Sequence, residues 1–466
     1  MKYYLLVLIF LLSVCTTSAT HLAAGNISVL DLGNGNCEIT ISLSRDTTTG
    51  SSALNQIKYF FEKDDGSIFY SRNISFQLIP GSPLNGHPQN VELYQAKDTV
   101  NFLTPGDYRV YIQKCCMPGP FNNASINRVF YIDCKFRVFA NGVENSSPQI
   151  TNPSINVIPV NQSFTYNVNA YDLDDDVVRI YSIHPLEADS VQIPFYVDPS
   201  SDSTNVFHVD SVSGDLVWTP NQIGRFLVSF EIQEIRNRKT IGRTIRTQTF
   251  IVLPDSNHIP IINNFSAIPV DANGYKCVQI NPQQNYSLTL FAHDLDMDSL
   301  NMLAYGEPFE LNNNQAMFIA SPLPANQLQG VFSWTPDSSA VRLEKYKVTF
   351  RIVDEQYARD YTLFIKVGNL IPGASELEEI ISSINLYPNP VQNKLNVDFS
   401  LISEQNIYFR ITDNSGREMV KWNSELYSKG KQTLELPINL NDGIYYLEVL
   451  NENRLLKTMP LLVLSK

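Results

Sequence analysis

Basic residues are scarce in this chain and never cluster. Lysine and arginine total 34 against 47 aspartates and glutamates, a formal net charge of −13. Nucleic acids and anionic membrane surfaces both demand gathered positive charge, so neither is expected as the main partner. Histidine is equally thin, with six residues scattered at 21, 87, 184, 208, 258 and 293. There is no HExxH zinc motif, no GxSxG nucleophile elbow and no glycine-rich phosphate loop between a strand and a helix. Sequence order does not exclude a triad assembled in space, but no feature of an active site is positively met, so the chain is expected not to be an enzyme. Tryptophan is rare as well, with three residues. Trp218 and Trp334 sit at matching places between an apolar strand and Thr-Pro, and the reading preferred over sugar platforms is two core rings.

Long apolar runs are absent except at the N-terminus. Met1-Lys2 leads into YYLLVLIFLLSVC and then the small residues TTSAT. A positive start, a short apolar stretch and a small-residue exit make residues 1–20 a signal peptide, cleaved near Ala19 or Thr20. The run is shorter than the roughly 20 residues a spanning helix needs, and no transmembrane segment is expected in the mature chain. Export to an oxidising compartment gives the few cysteines a purpose. Cys37, Cys115, Cys116 and Cys134 lie in the first folded region, an even number consistent with two disulfides. A Cys115–Cys116 bridge would be strained, so Cys37 is expected to join one of that pair and Cys134 the other. Cys277 has no evident partner.

What fills the chain instead is alternation. CEITISLS (37–44), YRVYIQKC (108–115), FTYNVNAY (164–171), YSLTLFAH (286–293) and YTLFIKV (361–367) place an apolar residue at every second position. Period-2 strands between Gly, Pro and Asn turns predict an all-β protein of tandem antiparallel β-sandwiches. Only ASELEEIISS (374–383) leans towards helix. Residues 148–368 contain a repeat. PQITN (148–152) returns as PIINN (260–264), YNVNAYDLDDDVV (166–178) as LTLFAHDLDMDSL (288–300), and GDLVWTP (214–220) as GVFSWTP (330–336). RFLVSFEIQE (225–234) then returns as KYKVTFRIVDE (345–355), so four motifs recur in order at near-constant spacing.

The repeat carries an acidic loop twice: Asp172, Asp174 and Asp176, then Asp294, Asp296 and Asp298. Three carboxylates in a turning loop supply about half the 6–8 oxygens that Ca²⁺ takes. An EF-hand is excluded, because DLDDDVVRIYSI lacks both the central Gly and the final Glu. The competing reading is a solvated acidic turn. With calcium bound, Asp255 and Asn257 from the preceding segment would join Asp294 and Asp296 and stiffen the joint.

The repeats resemble the cadherin-like class of extracellular immunoglobulin-like sandwiches, through AYDLDDDVVRIYSI, FHVDSVSGDLVW and WTP followed by a strand ending in an acidic residue. PDSNHIP (254–260) is similar to the cadherin linker without its second Asp, and that resemblance implies calcium as the cofactor. INLYPNPVQNKLNVDFS (384–400), ITDNSGREMVKW (411–422) and LNDGIYYLEVL (440–450) resemble the C-terminal sorting domain of type IX secretion cargo. HLAAGNISV (21–29), ITISLSRDT (39–47) and VYIQKCCMPGPFNNASINRVF (110–130) resemble a β-rich domain that opens large surface proteins of bacteria using that route.

The expected units are a signal peptide (1–20), a disulfide-bonded N-terminal domain (21–147), two sandwich repeats (148–256 and 257–368), a linker (369–383) and the sorting domain (384–466). The resemblance implies a secreted or outer-membrane-attached surface protein that passes through the periplasm, with the type IX machinery and an unidentified protein or glycan ligand as partners. Its expected role is adhesion or interaction. The alternatives are a secreted hydrolase with its site in residues 21–147, or a non-binding structural spacer.

Overall fold

The computed structural model describes residues 22–464 apart from 48–52, 81–90, 103, 116, 118, 126–127, 141–142, 153–155, 200–206, 238, 255, 343, 369–380, 402–403, 414–416 and 452–453. Strands dominate throughout, broken only by single turns of 3-10 helix and with no α-helix among the described residues. The expected all-β class of antiparallel sheets is the one found.

Both repeats fold as two facing sheets with the same wiring. In the first, Asn156–Pro159 runs parallel to Lys239–Leu253, which continues into Gly224–Arg236 and Val177–Ile183. The facing sheet is Phe164–Asn167, Asp215–Trp218 and Phe207–Val209. In the second, Cys277–Ile280 runs parallel to Ala358–Val367, followed by Tyr346–Val353 and Asn301–Tyr305. Ile261–Ile262, Tyr286–His293, Gln327–Trp334 and Met317–Leu323 make its other sheet. Trp218 and Trp334 are each 0–1% exposed, ringed by Phe164, Phe226 and Phe250 in one core and by Tyr346 in the other. These tryptophans are core.

The N-terminal unit is not a separate bead. Leu22–Asp31, Asn36–Asp46, Val91–Asn101 and Gln77–Ile79 form one arm of a sheet, and Val129–Val138, Gly106–Cys115, Gln56–Lys63 and Phe69–Ser75 form the other. Between the arms lies Lys239–Leu253 of the first repeat, with Thr247 opposite Gly25 and Thr244 opposite Cys134. One strand thus serves two units, and a twelve-stranded sheet crosses the expected boundary at 147/148. Gly25 is needed for the close pairing of Leu22–Asp31 with Asn36–Asp46, since a Cβ there would meet the Ser42 carbonyl oxygen at 2.7 Å and Leu43 at 2.6 Å.

The two repeats also lie against each other. All eight residues of Tyr346–Val353 are buried, polar ones included, because its outer row faces the first repeat. Arg351 and Asp360, both 1% exposed at the side chain, form a bidentate pair at 2.7 and 2.8 Å. Asp360 also accepts from the Asn167 main chain at 2.8 Å, and Lys347 donates to the Ser213 carbonyl at 3.1 Å.

The expected disulfides from Cys37 and Cys134 are not formed. Both residues are buried thiols, pushed up to about 12 by burial. Register explains Cys134: Cys115 stands opposite Val129, so Cys134 lies five residues further along the partner strand. That is roughly 17 Å at strand rise, far beyond the ~7 Å Cα limit of a bridge. Cys115 is disulfide-bonded, to a partner outside the described residues, where Cys116 also lies.

The C-terminal unit pairs Ile381–Tyr387 with Lys394–Leu401 and Gly430–Pro437, facing a sheet centred on Gln405–Asp413 and Gly443–Asn451. The end of the expected helical stretch is therefore strand: pairing with Lys394–Leu401 overrides a weak local preference. The rest of it, and the expected signal peptide, fall outside the described residues.

Candidate cation sites

Each acidic loop follows a strand of its repeat and folds around its own first aspartate. Asp172 Oδ1 accepts from the main-chain N–H of Asp174 at 2.9 Å and of Asp176 at 3.1 Å. Asp294 Oδ1 does the same for Asp296 at 2.7 Å and Asp298 at 3.4 Å. These are aspartate-capped turns, a local preference of the residue. The left-handed position in each falls on Asp175 (φ 63°) and Met297 (φ 62°).

The second oxygen of the capping aspartate is the chemically notable atom. Asp172 Oδ2 and Asp294 Oδ2 are buried with no hydrogen-bond partner. A third carboxylate meets the first loop from the end of a neighbouring strand, and at the second loop Asp354 feels the charges of Asp294 and Asp298. Glu234, fully buried at the end of Gly224–Arg236, leaves both carboxylate oxygens unpaired. Asp354, one residue past Tyr346–Val353, is 1% exposed with Oδ2 unpaired. Donor oxygens of Asp172, Asp176 and Glu234 all lie within 4.8 Å of one another. Gly242 stands opposite Glu234 and keeps the space open, since a Cβ there would come within 2.5 Å of Glu234 Oε2. The Asn145 carboxamide, buried with both polar atoms unpaired, lies beside Glu234.

Buried like charges raise one another's affinity for protons. Burial, then the charges of Asp176 and Asp174, lift Asp172 to about 7 against two opposing backbone hydrogen bonds. Burial and the Asp172 charge lift Glu234 to about 9. Burial and the charges of Asp294 and Asp298 lift Asp354 to about 6, again against backbone hydrogen bonds. Only oxygen donors gather at either cluster, the set that hard cations take and softer metals do not require.

The remaining expected ligands divide. Asp174 is turned to other use, accepting from the Ser146 main chain at 2.5 Å. Asp176 is in the cluster and is also held by Arg236 at 2.7–3.0 Å. Asp296 accepts from His258 N at 2.6 Å, tying the linker to the second loop. Asp298 faces Asp354 electrostatically. Asn257 lends its carbonyl to Gln162 at 2.8 Å, and Asp255 lies outside the described residues. Alternation alone missed Glu234 and Asp354. Their signal was the acidic end of the last repeated motif, Glu234 in one copy and Asp354-Glu355 in the other.

At the other end of the chain, residues 385–463 match the family model of the secretion system C-terminal sorting domain. The C-terminal unit is similar to that sorting domain. With it the chain reads as cargo of type IX secretion, exported to the cell surface or beyond. The C-terminal unit meets the repeats where Tyr446 stacks on His208 at 5.8 Å, Lys457 donates to the Ala272 carbonyl at 2.8 Å and Arg410 lies beside Tyr181. No helix among the described residues is long and apolar enough to cross a membrane. No curated protein matches the chain. Among solved structures, an endo-fucoidan hydrolase from glycoside hydrolase family 107 is 13% identical over 47% of this chain and 34% of its own, with a TM-score of 0.18. A titin fragment is 8% identical over 48% of this chain and 99% of its own, at 0.18. A second family 107 endo-fucoidan hydrolase is 13% identical over 68% of this chain and 42% of its own, at 0.17. Those scores carry no argument about activity.

Proposed function

We propose that this protein is a non-catalytic interaction or adhesion module of the cell surface, whose sandwich repeats are fixed in place by calcium. Asp172, Asp176 and Glu234, with the Asn145 amide oxygen, would hold one ion; Asp294, Asp298 and Asp354 would hold the other. Bound there, the ion supplies charge neutralisation, which lets the loop carboxylates stay ionised inside the fold. One observation carries this reading: each cluster buries carboxylate oxygens that nothing in the protein pairs, an arrangement costly unless a cation completes it. The exposed loops and sheet faces of the assembled sandwiches are then free to meet a protein or glycan ligand. The test is thermal unfolding of the full mature chain at pH 7.5, with chelator or with millimolar calcium. Binding to the folded state alone raises the midpoint, so a rise of several degrees is expected, absent when Glu234→Gln and Asp354→Asn are combined. An unshifted midpoint would end the calcium reading.

A further inference from the structure

The first loop does more than surround its cluster. Its aspartates reach three separate parts of the molecule. Asp174 accepts from Ser146, whose hydroxyl in turn accepts from Asp31 N of the N-terminal unit at 3.2 Å. Asp176 is gripped by Arg236 of its own repeat. Asp175, on the left-handed corner, takes a 2.5 Å hydrogen bond from Arg342 of the second repeat. Arg342 is pre-set for this contact: it pairs with buried Glu307 at 2.5–2.6 Å and its guanidinium lies 3.6 Å over the Tyr346 ring. The second loop has Met297 at the matching corner, 67% exposed, with the same backbone turn. The turn therefore does not require an aspartate at that corner, and Asp175 is the residue that makes the first loop a tether.

We propose that cation binding at Asp172, Asp176 and Glu234 is coupled to the docking of the second repeat on the first, through the Asp175–Arg342 contact. This rests on the calcium reading above and goes beyond it. The same five-residue turn carries two ligands and the tether, so whatever fixes the turn for the ion also fixes Asp175 for Arg342. Coupling of this kind is reciprocal: if the ion strengthens docking, docking strengthens ion binding by the same factor. The inference therefore makes a claim about affinity that simple electrostatics contradicts. Removing the positive charge of Arg342 from beside an acidic site should tighten calcium if only charge matters. If the tether matters, calcium should weaken.

The experiment uses the full mature chain carrying Asp354→Asn, so that the first site is read alone, with calcium as the probe. Calorimetric titration compares this parent with added Arg342→Gln, with added Asp175→Asn, and with both. The expected result is about a 5-fold weaker affinity in each single addition and no further loss in the pair. Hydrogen exchange gives a readout that survives partial destabilisation: calcium should protect residues 344–350 in the parent and leave them unprotected after Asp175→Asn. Equal or tighter calcium binding with Arg342→Gln, or protection of 344–350 that persists without Asp175, overturns the coupling while leaving the calcium site intact. A parent that takes up no calcium overturns both the coupling and the reading beneath it.

Discussion

Glu234 and Asp354 stand at the same place in two repeats, and each buries carboxylate oxygen that no hydrogen bond meets: both oxygens of Glu234, and Oδ2 of Asp354. In chelator, Glu234 at about 9 and Asp172 at about 7 lie above their ordinary values of 4.5 and 3.8. The folded state then binds more protons than the unfolded chain across roughly pH 4–9, so the stability these groups contribute falls as pH rises through that window. Glu234→Gln removes much of the fall. At pH 8 without calcium it should be the more stable protein by on the order of 2 kcal/mol, and with calcium the less stable, as urea titrations can measure. Parallel pH profiles for parent and variant would refute the assignment. Lys347 shifts the other way, with burial lowering it to about 8. An amine depressed below its ordinary 10.5 makes stability rise between about pH 8 and 10.5, and Lys347→Met should flatten that segment of the profile. The aspartates were legible because they alternate within five residues in a visible echo. Their strand-end partners come from about sixty residues away, where only the fold brings them in.

At the scale of the element, strands were legible and their neighbours were not. Alternation tells which residues share a face, but not whether water or another sheet meets that face. Thr244, Arg246 and Gln248 look like a solvent row and are all fully buried, and Lys347, Thr349 and Arg351 behave likewise. The disulfide expectation failed for a related reason: four cysteines close in number are not close in register. The pairing of Leu22–Asp31 with Asn36–Asp46 gives the test at this scale. Gly25→Val places a side chain against the Ser42 carbonyl and Leu43 and should cost about 1–3 kcal/mol by urea denaturation. An unchanged midpoint would mean that the N-terminal unit does not depend on this close seat.

For the whole molecule, the C-terminal address and the repeat were both readable, whereas the side-by-side packing of the repeats was not. Tandem copies suggest a string, and only the buried Arg351–Asp360 layer reveals that the string is folded back on itself. The C-terminal unit has a core of its own, so deleting residues 384–466 should leave a folded protein stranded in the periplasm. Immunoblots of surface and medium fractions check this, and export that survives the deletion removes the sorting role.

The shared strand also sets a clock. A chain that emerges N-terminus first presents residues 22–138 well before Thr244 and Thr247, which sit between their two arms. The leading unit must therefore wait, open along one seam, until the first repeat has followed it out. Chains cut at residue 237 should remain open to brief protease treatment within 22–138, and chains cut at 256 should resist it.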